Sequence, residues 1–132
     1  MDTEEETLED ILNSILASMP EVKSAAVVSN EGLPIASVLP SDTDEAKISA
    51  ITAAIMTLAE LATQEFGKGI FEQVFVRGQN GYVFTMAVGK TAVLTISTTK
   101  NINLGLIFIE TKRSCDKIAK YLMGEGLYYE NS

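Results

Sequence analysis

The side chains that most often perform catalysis are scarce here. No histidine occurs in 132 residues, which excludes His general bases, Ser-His-Asp and Cys-His nucleophile systems and nearly all mixed zinc sites. The one cysteine, Cys115, has no internal partner for a disulfide and falls within a helical pattern. It reads as a buried structural thiol; the alternative is a redox or nucleophilic role, for which Lys112 and Arg113 are the only positive neighbours that would favour a thiolate. Gly67-Lys68-Gly69 lacks the third glycine of a dinucleotide fingerprint and no GxxxxGK[ST] run exists, so the chain does not resemble a P-loop nucleotide hydrolase. Asp42, Asp44 and Glu45 suggest a hard-cation site, but a calcium loop spreads more oxygens over about twelve residues. A helix begins directly after them, and capping is the better reading. No catalytic residue, metal or cofactor is expected.

The helix in question covers 42–67, DTDEAKISAITAAIMTLAELATQEFG. At about 100° per residue, Ile48, Ile51, Ile55, Leu58, Ala62 and Phe66 form one aliphatic stripe, which is expected to lie on the core. Beside it runs a face of small residues, Ala46, Ala50, Ala53, Ala54 and Thr57, closed by Leu61. Together these faces make roughly two-thirds of the circumference apolar. One sheet cannot cover that much helix, so the small face needs either a second layer of this chain or another molecule. The remaining arc holds Ser49, Thr52, Met56, Glu60 and Thr63. It is either a solvated face or a strip that docks a partner through an adaptable methionine. Asp42 with Glu45 is expected to form the capping box and Gly67 the left-handed end.

Length and a 46% hydrophobic content fit one domain, 1–132, with a sizeable core. Of the 18 acids, six lie in residues 1–10, which hold no base, and the remainder of the chain carries 12 acids against 10 bases. The acidic end reads as a solvated helix start aided by the dipole rather than a recognition tail. A nearly neutral body lacks the basic footprint that nucleic acid or anionic lipid requires. No basic region precedes an apolar segment at the N-terminus, and no apolar run is expected to reach the ~20 residues of a membrane span. A soluble, cytoplasmic protein is the expectation.

The other elements follow from periodicity and turn residues. A helix over 7–18 buries Leu8, Ile11, Leu12, Ile15 and Leu16 and stops at Pro20. Strands over 22–29 and 33–38 form a hairpin through Asn30-Glu31-Gly32, with Pro34 placing the second at a sheet edge. Strands over 70–77, 82–88 and 92–97 form a meander, turning at Asn80-Gly81 and Gly89-Lys90. Tyr82, Phe84, Met86 and Val88 share one face, and Val83, Thr85 and Ala87 the other, so both are expected to be covered. A last helix over 103–123 has Asn103 as cap and Gly124 beyond its end, leaving 125–132, with Leu127, Tyr128 and Tyr129, as an acidic tail free to move, like residues 1–6. The result is an α+β sandwich in the order αββαβββα: a five-stranded antiparallel sheet with the long helix on one face and the terminal helices on the other.

This order and several local runs resemble the roadblock family, also called the dynein light-chain or MglB-type family. The matches are SNEGLPIAS (29–37), the Ala-rich long helix, GYVFTMAVGKTAVLTIS (81–97) and NINLGLIFIE (101–110), over about residues 6–123. The resemblance implies a roadblock/profilin-like fold and a homodimer made through the long helix and the strand after it. The corresponding interface residues would be Ala46, Ala50, Ala53, Ala54, Thr57, Leu61, Phe71 and Phe75, leaving Ser49, Thr52, Met56 and Glu60 to dock a partner. That partner would be a small Ras-like GTPase, scaffolded or activated without an arginine finger. Alternatives are a subunit in a complex with another roadblock or longin-type protein, and a small-molecule-sensing profilin- or PAS-like module.

Overall fold

Thr7 and Asp10 open the first helix by satisfying each other's amides. In the computed structural model, which describes residues 6–131, the Asp10 amide donates to the Thr7 hydroxyl at 3.1 Å and the Thr7 amide to the Asp10 carboxylate at 3.0 Å. This capping box starts α1 (Leu8–Ser18), whose Leu8, Ile11, Leu12 and Ile15 are buried as their spacing predicts. The Thr7 amide, and then its hydroxyl, hold the Asp10 carboxyl below its usual 3.8. The acidic stretch 1–5 and the side chains of 125–132, including Leu127, Tyr128 and Tyr129, lie outside the described residues.

The chain continues through β1 (Val22–Ser29), β2 (Pro34–Val38), α2 (Glu45–Glu65), β3 (Gln73–Gly78), β4 (Gly81–Val88), β5 (Ala92–Thr99) and α3 (Leu104–Asn131). The five strands form one antiparallel sheet in the order β2-β1-β5-β4-β3. α1 and α3 cover one face, where Leu12, Val27, Phe84, Leu94, Ile96, Ile107 and Ile118 form the main core. α2 covers the other, over a small cluster of Met56, Phe71 and Val93. Pro34 opens β2 at the sheet edge, and the β1–β2 register shifts between Val27 and Val28, in keeping with the confinement of proline to edges and bulges.

Several boundaries differ from the sequence expectation. α2 is capped by Asp44, whose carboxylate accepts from the Lys47 amide at 3.1 Å, and not by Asp42. Glu45 does not reach back; its carboxylate accepts from the Ser37 hydroxyl at 2.5 Å and ties the helix start to β2. β3 begins at Gln73, leaving Ile70 on the preceding loop. The β3–β4 turn is centred on Gln79-Asn80, one residue earlier than expected. Gly81 instead begins β4 at φ +156°, where a Cβ would collide with the Thr98 carbonyl. Asn103 caps α3 as expected, accepting from the Leu106 amide at 3.1 Å, but the helix runs through Gly124 to Asn131. A mid-helix glycine costs about 1 kcal/mol against alanine and does not by itself end a helix.

Two outcomes are expected. Thr7→Ala lowers stability by about 1 kcal/mol at neutral pH in urea unfolding. Because the Asp10 pKa is depressed in the folded state, its part of the box is fully present above 3.8 and is lost as pH falls through the lower folded value, so the gap between variant and parent narrows there. Cys115 is buried, donates to the Met86 sulfur at 3.9 Å, and has its thiol pushed up to about 12 by burial. It should react with a thiol reagent only when the protein is unfolded.

Candidate interaction surface

The sheet face under α2 is built from small side chains. Ser24 and Ser97 share a hydrogen bond of 2.5 Å, and Thr85 and Thr95 one of 3.3 Å, so hydroxyls sit in pairs where the opposite face carries large apolar groups. α2 meets this face with Ser49, Thr52 and Met56, which are 1%, 3% and 7% exposed. The Thr52 hydroxyl is satisfied within the helix, donating to the Ile48 carbonyl at 2.8 Å. Small groups on both sides let the helix lie close. At its side the helix also meets the β1–β2 turn, where a Cβ on Gly32, held at φ +92°, would come within 3.4 Å of Ala53.

This packing turns the helix away from the orientation its aliphatic stripe predicts. Ile51 and Leu58 are exposed, Ile48 and Ile55 only half-buried, and Phe66 is 77% exposed at the helix end. Ile70 follows at 92%. On the neighbouring strands Val76 and Val83 are also exposed. Between this flank of α2 and the sheet lies an apolar cavity of 310 Å³, walled by Ile48, Ile51, Ile55, Val76 and Val83. β3, paired with β4 alone, is the sheet edge beside it. Stretches of apolar surface on this scale mark interaction sites.

The expected interface residues divide. Ala46, Ala50, Ala54, Thr57 and Leu61 are exposed on the side of α2 turned away from the sheet, and Ala53 is half-buried. Phe75 is partly exposed within an aromatic cluster with Tyr82, Phe84 and Phe108, at centroid distances from 5.7 to 6.1 Å. Phe71 is not surface at all; it is buried against Met56 and Val93. The expected docking strip is overturned likewise, because Ser49, Thr52 and Met56 face the sheet and Glu60 is half-buried beside them. Ile51, Leu58 and Phe66 of the exposed flank belong to the stripe whose periodicity points to the chain's own core. Hydrophobic spacing points to an apolar face as the inward one, and so misses an inward face built on Ser49, Thr52 and Met56. The small, hydroxyl-bearing face of β4 and β5 was the available signal.

α2 also departs from the expectation about apolar runs. By length and composition alone it is long and apolar enough to cross a membrane. Its buried residues are nonetheless packed on the sheet, as one layer of the fold.

Comparison with known proteins bears on this surface. The family described as the Roadblock/LC7 domain matches residues 8–98. An uncharacterized protein of Methanocaldococcus jannaschii is 37% identical over 97 residues, which cover 74% of this chain and 84% of that protein. Among solved structures, MglB of Myxococcus xanthus superposes with a TM-score of 0.82 at 19% identity, covering 89% of this chain and 95% of that one. Another, described as MglB with tetrameric arrangement, gives 0.78 at 15% identity, covering 86% and 85%. A Schizosaccharomyces pombe profilin gives 0.61 at 18% identity, covering 91% and 99%. At these identities the structures speak for the fold.

The inward orientation of Met56 makes a simple test. Met56→Ala is expected to cost about 2 kcal/mol or more in chemical unfolding, as truncation of a buried methionine does, while Glu60→Ala changes stability by less than about 0.5 kcal/mol. Equal, negligible effects would return Met56 to the surface.

Proposed function

Since the chain belongs to the Roadblock/LC7 domain family, we propose that it is a non-catalytic, homodimeric scaffold or regulator of a small Ras-like GTPase in the cytoplasm. The observation that supports this reading is the exposed apolar flank of α2 running onto the open edge of β3. A lone domain gains nothing from holding Leu58 and Phe66 in water, whereas a second copy would remove them from it at roughly 25 cal/mol per Å². A two-fold pair uses the same patch twice and closes. The GTPase partner follows from the family resemblance. Any stimulation of hydrolysis would act through the GTPase's own residues, for the cations near α2 and β3 are ill suited as fingers. Arg77 lies over the Tyr82 ring at 5.9 Å, and Lys47 and Lys68 stand at the two ends of the helix.

The cavity beside α2 favours a second reading, a ligand-sensing module. Its walls are largely apolar, and Ser24, Ser97, Thr95 and Thr52 are bonded to one another, to Thr85 or to the helix backbone, which leaves little besides the Thr43 hydroxyl to orient a polar ligand.

Sedimentation equilibrium tests the proposal. A mass near twice 14.2 kDa is expected, and Leu58→Glu with Leu61→Glu should leave a folded monomer, since charge would be buried unpaired. The dimer is then expected to retain a Ras-like GTPase in pull-downs with GTP or GDP. A wild-type monomer at all concentrations overturns the reading.

A further inference from the structure

All 18 acids of the chain lie outside residues 73–109, the stretch that forms β3, β4, β5 and the start of α3. Its bases are Arg77, Lys90 and Lys100. The ladder separates them. Lys90 sits in the β4–β5 turn at one end of the sheet, while at the other end Arg77 pairs with Tyr82 and Gly81 with Thr99, which brings Lys100 to the β3–β4 turn. That end of an acidic protein is locally positive.

Arg77, Gly78, Gln79, Asn80, Tyr82 and Lys100 line an open cleft of 660 Å³ there. Arg77 follows Phe75 on the same side of β3, and Phe75 packs on Phe108 of α3, so the cleft is built on the face of the sheet opposite α2. The Arg77 guanidinium is held 5.9 Å from the centre of the Tyr82 ring, which orients its fork. Neither Arg77 nor Lys100 has a carboxylate partner among the described residues. Glu21, which meets the Thr99 amide through its backbone carbonyl at 2.9 Å, does not line the cleft. Among the described residues the lining offers two cations, two carboxamides and a phenol, and no acid.

Such a lining suits an anion with several oxygens. A carboxylate can be met by the Arg77 fork alone, whereas a phosphate monoester carries a charge of about −2 at neutral pH on three oxygens and can engage the fork, the Lys100 ammonium and a carboxamide together. We infer that the cleft binds the phosphate or diphosphate group of a soluble small molecule, with Arg77 as the forked donor, Lys100 as the point charge, and Gln79 and Asn80 completing the shell. The chain reaches α3 four residues after Lys100, and the first turn of that helix holds no acid, so its dipole adds to the same sign. A chain of net charge −8 is not drawn to an anionic membrane, which favours a soluble source. The cleft also lies within the roughly 300–1,000 Å³ of small-molecule sites, with room for the body that bears the phosphate. This site does not rest on the self-association proposed above.

Amide chemical shifts of the full chain, followed by NMR as inorganic pyrophosphate is added at constant ionic strength, test it. Saturable shifts confined to residues 77–82 and 99–101 are expected. Arg77→Gln and Lys100→Gln should each raise the dissociation constant at least about tenfold, as loss of one charge-assisted hydrogen bond does. Both side chains are exposed, so the circular dichroism of the variants should match that of the parent, and Lys100→Arg, which keeps the charge, should bind like it. Shifts that fail to saturate or that fall on lysines elsewhere overturn the site, as does an unchanged constant in the double variant. Citrate bound as tightly as pyrophosphate overturns the preference for phosphate. Retention on vesicles of phosphatidic acid in phosphatidylcholine, without binding of pyrophosphate, overturns the soluble ligand in favour of a lipid headgroup.

Discussion

How closely a helix can lie on a sheet depends on the side chains between them, and in this protein that spacing decides the character of the whole surface. Ser49 and Thr52 face a floor of Ser24, Thr85, Thr95 and Ser97, where Ser24 bonds Ser97, Thr85 bonds Thr95 and Thr52 bonds its own helix backbone, while the Ser49 hydroxyl is buried without a partner. A buried hydroxyl is costly only when unbonded, so these paired groups can take the place of larger hydrophobes. Once the face of Ser49, Thr52 and Met56 is committed inward, the bulky aliphatics of α2 have nowhere to go but the flank and the outside.

The two faces of the sheet are therefore unequal. The face under α1 and α3 is packed with Phe84, Leu94, Ile96, Ile107 and Ile118, all nearly inaccessible, and resembles the core of an ordinary small domain. The face under α2 buries only a few apolar groups around Met56, Phe71 and Val93. One side of the sheet carries most of the apolar burial and the other carries the exposed apolar surface. Mutations on the first should register as stability. Mutations on the flank of the second act on surface groups, which ordinarily leave folding stability within about 0.5 kcal/mol.

Much of this was legible in the sequence. Local chemistry marked most elements: the asparagine at 103, the proline that makes β2 an edge and the alternation in β4 all stand where residue types put them. The family resemblance was carried by the same runs. The candidate surface was only half legible. Periodicity identified two apolar faces and one polar arc on α2, but the choice of the inward one depends on the sheet, whose small face is assembled from β1 and the distant β4–β5 hairpin. Phe71 was misplaced for a related reason, since it was read as part of β3 when β3 begins at Gln73 and Phe71 folds under the helix. Gly124 misled because glycine ends a helix only when the chain takes up a left-handed turn there, and this one does not.

The two edges of the sheet are also unlike. β2 is five residues long, begins with a proline that has no amide to donate, and meets β1 in a broken register. β3 has regular pairing along its length and an unobstructed outer side. A sheet with two welcoming edges can add strands without end and grow into a ribbon, the hazard that native edges are shaped to avoid. With one edge blunted and one open, addition can happen once and then has no edge left to continue from. The proline at 34 thus acts at a distance from the helix and the strand that meet a neighbour: it sets a finite size.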